Sequence, residues 1–322
     1  MGLLARMPGF VWRRGADDQS AVAKPEGLDL KTAIDRLIAT LLFSLLLLAA
    51  MPARAEPETV YFKSADGVTE IVGYLFRPAA PGPHPAIVLL HGRGGPYSIN
   101  VNRDCTFVSR GLASPCDAAG LSKRHAMWGE FWAARGVLAL LPDSFGPRGK
   151  AHGFGRFTHG DPDRDSVNEM TVRPLDAEGA LTYLRSRADV AANRIFLQGW
   201  SNGGSTALNV AIRQAASGSF GAVLAFYPGC GSAALLENSI KTSLPLLMFL
   251  GTDDEEVSPA ACQQVAQRSI DAGTRITVTL YPGATHDFDD PGEKRQQVPR
   301  NQAAKADAMA RAAAAIDGFN RP

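Results

Sequence analysis

Gly199-Trp200-Ser201-Asn202-Gly203 sits at the end of the apolar run Arg194-Ile195-Phe196-Leu197-Gln198 and leads into Gly204. Such a stretch demands a strand that turns sharply into a helix. In a G-x-S-x-G turn the serine sits in a strained backbone conformation with its hydroxyl exposed above the sheet. Residues two before and two after must be small, because strand and helix approach closely there. The chain is therefore committed to a strand–turn–helix unit at this point, with Ser201 as its candidate nucleophile.

The surrounding pattern extends that unit into a sheet. His84–Leu90 and Val137–Leu141 are continuous apolar runs, the mark of buried strands, and Ala222–Tyr227, Pro245–Leu250 and Ile276–Tyr281 also read as strands. Thr59–Ser64 and Glu70–Phe76 alternate around Asp66-Gly67 and read as a hairpin. Helices are expected from a Ser122 cap through Trp128, Phe131 and Trp132, over Val167–Arg187, after Gly203, over Pro259–Ala272 and over Gln302–Phe319. Strands alternating with helices predict an α/β fold, a mostly parallel central sheet with helices on both faces. Phe145–Asp165, rich in Gly, Pro, Arg and His, is left as a long loop.

Residues 1–55 are read as an N-terminal extension and signal peptide, and residues 56–322 as one catalytic domain. Leu37–Ala53 carries no charge, Lys31 and Arg36 precede it, and Ala53-Arg54-Ala55 follows. A basic flank, a short apolar region and a small-x-small site predict secretory cleavage after Ala55. The run falls short of the ~20 residues of a spanning helix. Arg13-Arg14 lies too far upstream for a twin-arginine signal, and the lead before Lys31 is read as an over-extended start of the frame. Export, to periplasm or outside the cell, permits disulfides. Proximity along the chain pairs Cys105 with Cys116 and Cys230 with Cys262, one of three connectivities that four cysteines allow. A net charge of +1 with 20% charged residues gives no footprint for nucleic acid.

A serine hydroxyl needs a base to take its proton during attack, and the base needs a carboxylate to orient it. His286, in the loop after the last strand, is the expected base. The acid is expected in Gly251-Thr252-Asp253-Asp254-Glu255-Glu256, where Asp254 is favoured and Asp253 is the alternative. Glu255 and Glu256 read as charges at a helix N-terminus. An oxyanion needs donors aimed at it; the backbone N–H groups of Asn202 and of Arg93, in His91-Gly92-Arg93-Gly94-Gly95, are assigned to that role. His91 and Trp200 are candidate substrate-binding residues; His91 otherwise shapes its loop, and Trp200 otherwise packs beneath the turn. Arg148, Arg156 and Arg164 either bind an acidic acyl group or are solvated loop charges. Nothing here calls for a metal or organic cofactor.

His91-Gly92-Arg93-Gly94-Gly95, the turn at Ser201, Gly251-Thr252-Asp253-Asp254 and Tyr281-Pro282-Gly283-Ala284-Thr285-His286 together resemble the dienelactone hydrolase family of α/β-hydrolases. Asp143-Ser144-Phe145-Gly146-Pro147-Arg148-Gly149 and Tyr227-Pro228-Gly229-Cys230 resemble exported members. The resemblance spans about residues 57–320 and implies hydrolysis of a small-molecule ester or lactone through an acyl-enzyme. True dienelactone hydrolases carry Cys where this chain has Ser201, which favours a serine esterase. A peptidase of the prolyl-oligopeptidase type is the alternative enzyme reading, ranked well below because no propeller-length N-terminal domain to gate peptides is read in the chain. A non-catalytic binding protein on a hydrolase scaffold is the reading from another class.

Overall fold

The computed structural model describes residues 56–158, 160–213, 220–231, 236 and 238–319, together with Lys31 and Ile34. The expected signal peptide and its cleavage site lie outside the described residues. Contacts divide the chain into Met1–Ala55 and Glu56–Pro322, and the sheet belongs to the second unit. Among the described residues no helix is long and apolar enough to cross a membrane.

The sheet has eight strands: β1 Glu58–Lys63, β2 Glu70–Phe76, β3 His84–Leu90, β4 Leu138–Asp143, β5 Val190–Trp200, β6 Val223–Phe226, β7 Leu246–Gly251 and β8 Ile276–Tyr281. Their order is β1-β2-β4-β3-β5-β6-β7-β8. β1 and β2 pair antiparallel, as do β2 and β4, and every later pairing is parallel. The expected hairpin forms because Asp66 Oδ1 accepts the N–H groups of Val68 and Thr69, both at 2.8 Å, closing the turn at Gly67. The main helices are α1 Lys123–Ala134, α2 Arg173–Arg185, α3 Asn202–Arg213, α4 Pro259–Asp271 and α5 Pro299–Phe319.

Alternate residues of one strand enter different cores. Val88 and Leu90 of β3 pack with Ala177, Leu181 and Leu208 from α2 and α3. Ile87 and Leu89 pack with Trp128, Trp132, Ala308 and Ile316 from α1 and α5. A sheet wrapped on both faces has no solvent side, so its central strands read as unbroken apolar runs.

The segment before α2 departs from the expected helix over Val167–Arg187. A short 3₁₀ turn covers Pro162–Val167, and α2 starts only at Arg173. Asn168 causes the break: its Oδ1 accepts the N–H groups of Met170 at 2.7 Å and Thr171 at 3.0 Å, a local alternative to helical bonding. Pro174 then suits a first turn, where no N–H is needed.

Both disulfides join the expected partners, Cys105–Cys116 and Cys230–Cys262. The second closes the longer loop, 32 residues in sequence. Replacing Cys230 and Cys262 together by Ser is expected to lower unfolding free energy by about 3–4 kcal/mol, measured by urea denaturation; an unchanged midpoint would contradict it.

Candidate active site

β5 ends at Trp200 and α3 begins at Asn202, so Ser201 is the whole of the turn between them. Its φ is 53°, a left-handed conformation that a non-glycine residue holds only under tertiary constraint. A Cβ on Gly199 would lie 2.1 Å from the Gly203 carbonyl oxygen. One on Gly203 would lie 2.1 Å from that of Leu90. The Ser201 N–H donates to the Phe226 carbonyl at 2.9 Å, tying the turn to β6.

His286 brings its Nε2 to 3.1 Å from Ser201 Oγ. Its Nδ1 stands 2.8 Å from Asp254 Oδ2. An ionised carboxylate only accepts, so the Nδ1 proton faces Asp254 and Nε2 is left to accept from the serine hydroxyl. The Asp254 and His286 side chains are 1% and 2% exposed, which keeps this chain of hydrogen bonds out of water. Asp254 is aimed by its other oxygen, which accepts the N–H groups of Glu256 and Val257 at 2.8 and 2.9 Å. Asp253, the alternative acid, is exposed and takes the Thr252 hydroxyl instead. Burial works to lower the His286 pKa; the Asp254 hydrogen bond and the charges of Asp287, Asp254 and Glu256 outweigh it and hold the pKa above the ordinary value.

Glu255 and Glu256 do more than charge a helix end, the role expected of them; α4 is capped by Ser258, which accepts from Ala261 N–H at 3.2 Å. Glu255 accepts the His286 backbone N–H at 2.9 Å and pairs with Arg295. Glu256 takes a two-pronged bond from Arg93, 3.0 Å at each contact, and a third contact from Arg156 at 2.7 Å. Its carboxylate lies 3.8 Å from His286 Nε2.

Among the described residues, neither the Arg93 nor the Asn202 backbone N–H donates to a protein acceptor, and both residues line a cavity that reaches Ser201. Two buried groups set the loop that carries Arg93. His91 donates from Nδ1 to the Gly92 carbonyl at 2.8 Å and accepts at Nε2 from the Ser144 N–H at 3.2 Å. Burial, helped by the Arg173 charge, holds its pKa well below the usual imidazole range. His91 is therefore neutral, fully buried and a shaper of the loop, which corrects its assignment to substrate binding. Arg173, also fully buried, donates to the His91 carbonyl at 2.7 Å and to Asn202 Oδ1. One guanidinium thus links the two segments on either side of the serine. Its position at the head of a helix gave no sequence signal for this.

Trp200 is likewise corrected from substrate contact to packing beneath the turn. It is fully buried, and its indole N–H donates to Asp289 at 2.8 Å. Trp128 Nε1 at 2.7 Å and the Tyr227 hydroxyl use the same carboxylate. Arg124 pairs with Asp287 and lies 3.5 Å from Asp290. Of the loop arginines, Arg148 is committed to Asp176 through two 2.8 Å bonds and Arg164 is buried beside Glu169. Only Arg156 stands beside the serine's surroundings. Glu256, His286 and Asp287 bring ligand-type atoms within 4.8 Å of one another. Each carboxylate there already has an arginine partner, which supplies the positive charge.

Residues 116–319 match the dienelactone hydrolase family. The chain belongs to that family. It is a family of carboxylic ester hydrolases, and solved α/β-hydrolase structures share its fold. An esterase from Thermogutta terrifontis with propionate bound is 20% identical, with a TM-score of 0.56 over 84% of this chain and 96% of that one. The same esterase phosphorylated by paraoxon gives 20% identity and a TM-score of 0.51 over 79% and 94%. A proposed dienelactone hydrolase from Klebsiella pneumoniae gives 16% identity and a TM-score of 0.57 over 81% and 99%. At these identities the likeness is one of fold.

The crowding at the turn of this dienelactone hydrolase family member has a direct consequence. Gly203→Ala is expected to destabilise it by about 3 kcal/mol, in the range of overpacking. Gly94→Ala, whose Cβ meets nothing within 4 Å, is expected to stay within about 0.5 kcal/mol of the parent. Equal midpoints for the two variants in urea would refute the close-contact account.

Proposed function

We propose that the protein is a serine carboxylic ester hydrolase that works through an acyl-enzyme. Ser201 is the nucleophile, His286 the general base and then general acid, and Asp254 the residue that orients His286. Ser201 Oγ attacks the ester carbonyl while His286 Nε2 takes its proton. The oxyanion is bound by the Arg93 and Asn202 N–H groups, which meet it already in place. His286 returns the proton to the alcohol oxygen, the C–O bond breaks, and an acyl-serine remains. A water deprotonated by His286 then releases the carboxylic acid and restores the serine. The observation that carries this reading is the hydrogen-bonded chain from Asp254 through His286 to Ser201, at 2.8 and 3.1 Å.

Charge favours the imidazolium formed during attack. Asp254 stands at its Nδ1, and the Glu256 carboxylate lies 3.8 Å from Nε2. Arg93 and Arg156 hold Glu256 in place, so its charge is fixed before substrate arrives. The Thermogutta esterase carrying paraoxon's phosphoryl group supports an organophosphate probe for this chain. We read residues 56–322 as the catalytic domain and residues 1–55 as a leader removed on export; the two disulfides, at home in an oxidising compartment, support that reading.

A fluorophosphonate is expected to label Ser201, and Ser201→Ala is expected to abolish labelling and cut kcat by about 10⁴-fold or more. Mass spectrometry of the labelled peptide and hydrolysis of an aryl acetate check both. An intact protein that stays unlabelled would sink the proposal.

His286 must be neutral to act as base, so kcat/KM should rise with pH and level off above the His286 pKa. That pKa is raised, which places the inflection above the ordinary 6.5. Asp254→Asn removes a cause of the elevation and should move the inflection down while lowering kcat by about 10⁴-fold. A pH–rate profile with a neutral ester reads both; an inflection unmoved in Asp254→Asn would remove Asp254 from its role.

A further inference from the structure

Ser201 opens on two cavities, and His286 belongs to only one of them. The larger, about 670 Å³, is lined by both Ser201 and His286. The smaller, about 230 Å³, is lined by Ser201 and Asn202 and does not reach His286. Arg93 and Glu256, joined as an ion pair, contribute to the walls of both. Resting on the serine-esterase reading above, we propose that the enzyme acts on short-chain acyl esters of polyhydroxylated alcohols of mono- to disaccharide size.

The assignment of ends follows from the proton. In acylation the alcohol oxygen must receive a proton from His286 Nε2 as the C–O bond breaks, so the alcohol has to lie on the His286 side. That is the larger cavity. The acyl chain, attached to the carbonyl carbon on Ser201, is left with the cavity beside Asn202. Drug-sized ligands occupy about 300–1,000 Å³. The acyl cavity falls below that range and the alcohol cavity sits in the middle of it. A short acyl group and a bulky alcohol fit this division; a fatty acyl group on a small alcohol does not.

The wall chemistry sets the character of each end. Phe157, Val257 and the half-cystine Cys230 bring apolar surface to the acyl cavity. The alcohol cavity presents Ser98, Asn100, Asn102, Ser122 and Lys123 and the backbone of Gly94-Gly95, beside the apolar surfaces of Ile99 and Phe154. Its other charges cancel locally: Arg124 pairs with Asp287 and Asp290, and Arg93 pairs with Glu256. The more polar of the two walls, with its carboxylates neutralised by arginines, suits a ligand that offers many hydroxyls. Long aliphatic alcohols would leave those groups desolvated and unpaired, which is costly.

The test uses the full protein with two ester series. In the first, 4-nitrophenyl esters lengthen from acetyl through butyryl to octanoyl. In the second, acetate is carried by ethanol, by glycerol or by a methyl glucoside. Expected is a fall in kcat/KM of about ten-fold or more from butyryl to octanoyl, and acetylated glucoside cleaved at least about ten-fold better than ethyl acetate. Val257→Ala should raise the octanoyl-to-acetyl ratio by about ten-fold. An octanoyl ester cleaved as well as acetyl, or a glucoside no better than ethyl acetate, would overturn the substrate inference while leaving the esterase reading intact. A folded protein, by circular dichroism, that cleaves no ester and resists fluorophosphonate would overturn both.

Discussion

Three backbone segments meet at the serine turn with no room for a side chain between them. The Gly203 Cα faces the carbonyl oxygens of Leu90 and His91, and the Gly199 Cα faces the carbonyl of Gly203 itself. This contact sets the distance from β5 to α3 and from both to the loop after β3. It also holds Ser201 at a φ that an isolated chain would avoid. The proposed oxyanion donors, Arg93 and Asn202, sit on the two segments that this contact presses together. Relaxing it would move the serine and both donors at once.

Buried charge then locks what packing has brought close. Arg173 bridges the His91 carbonyl and the Asn202 side chain from beneath, in full burial. Burial lowers its pKa to about 10, which still leaves it charged at neutral pH. On the other side, Asp289 gathers Trp128, Trp200 and Tyr227, so the His286 loop, the turn and α1 share one acceptor. Arg124 joins the same region through Asp287, whose carboxyl burial would raise but the Arg124 charge holds below its usual range. Removing one member of such a network leaves another buried and unpaired, which costs more than the lost bond alone.

Much of the fold is legible along the chain because local rules govern it. β2, β3 and β8 occupy the strands read from sequence, Glu70–Phe76, His84–Leu90 and Ile276–Tyr281. The helix ahead of β5 was less legible, since Asn168 competes for backbone N–H groups that composition alone treats as helical. Arg173 and Asp289 were invisible as partners of the site. Nothing in their neighbours along the chain distinguishes them from ordinary helix-end and loop charges. Arg93 and Glu256 are 163 positions apart and meet only through the order of the strands.

The sequence by itself determined the strand–turn–helix at Ser201 and the order along the chain of Ser201, the acidic turn and His286. These depend on residue size, periodicity and short separations, all written locally. Only the tertiary structure decided that Asp254 rather than Asp253 meets His286, that Trp200 and His91 lie in the core, and that Glu256 joins two arginines beside the serine. Neighbouring side chains on a turn point in different directions, and the direction that becomes buried is set by what packs against it from elsewhere in the chain.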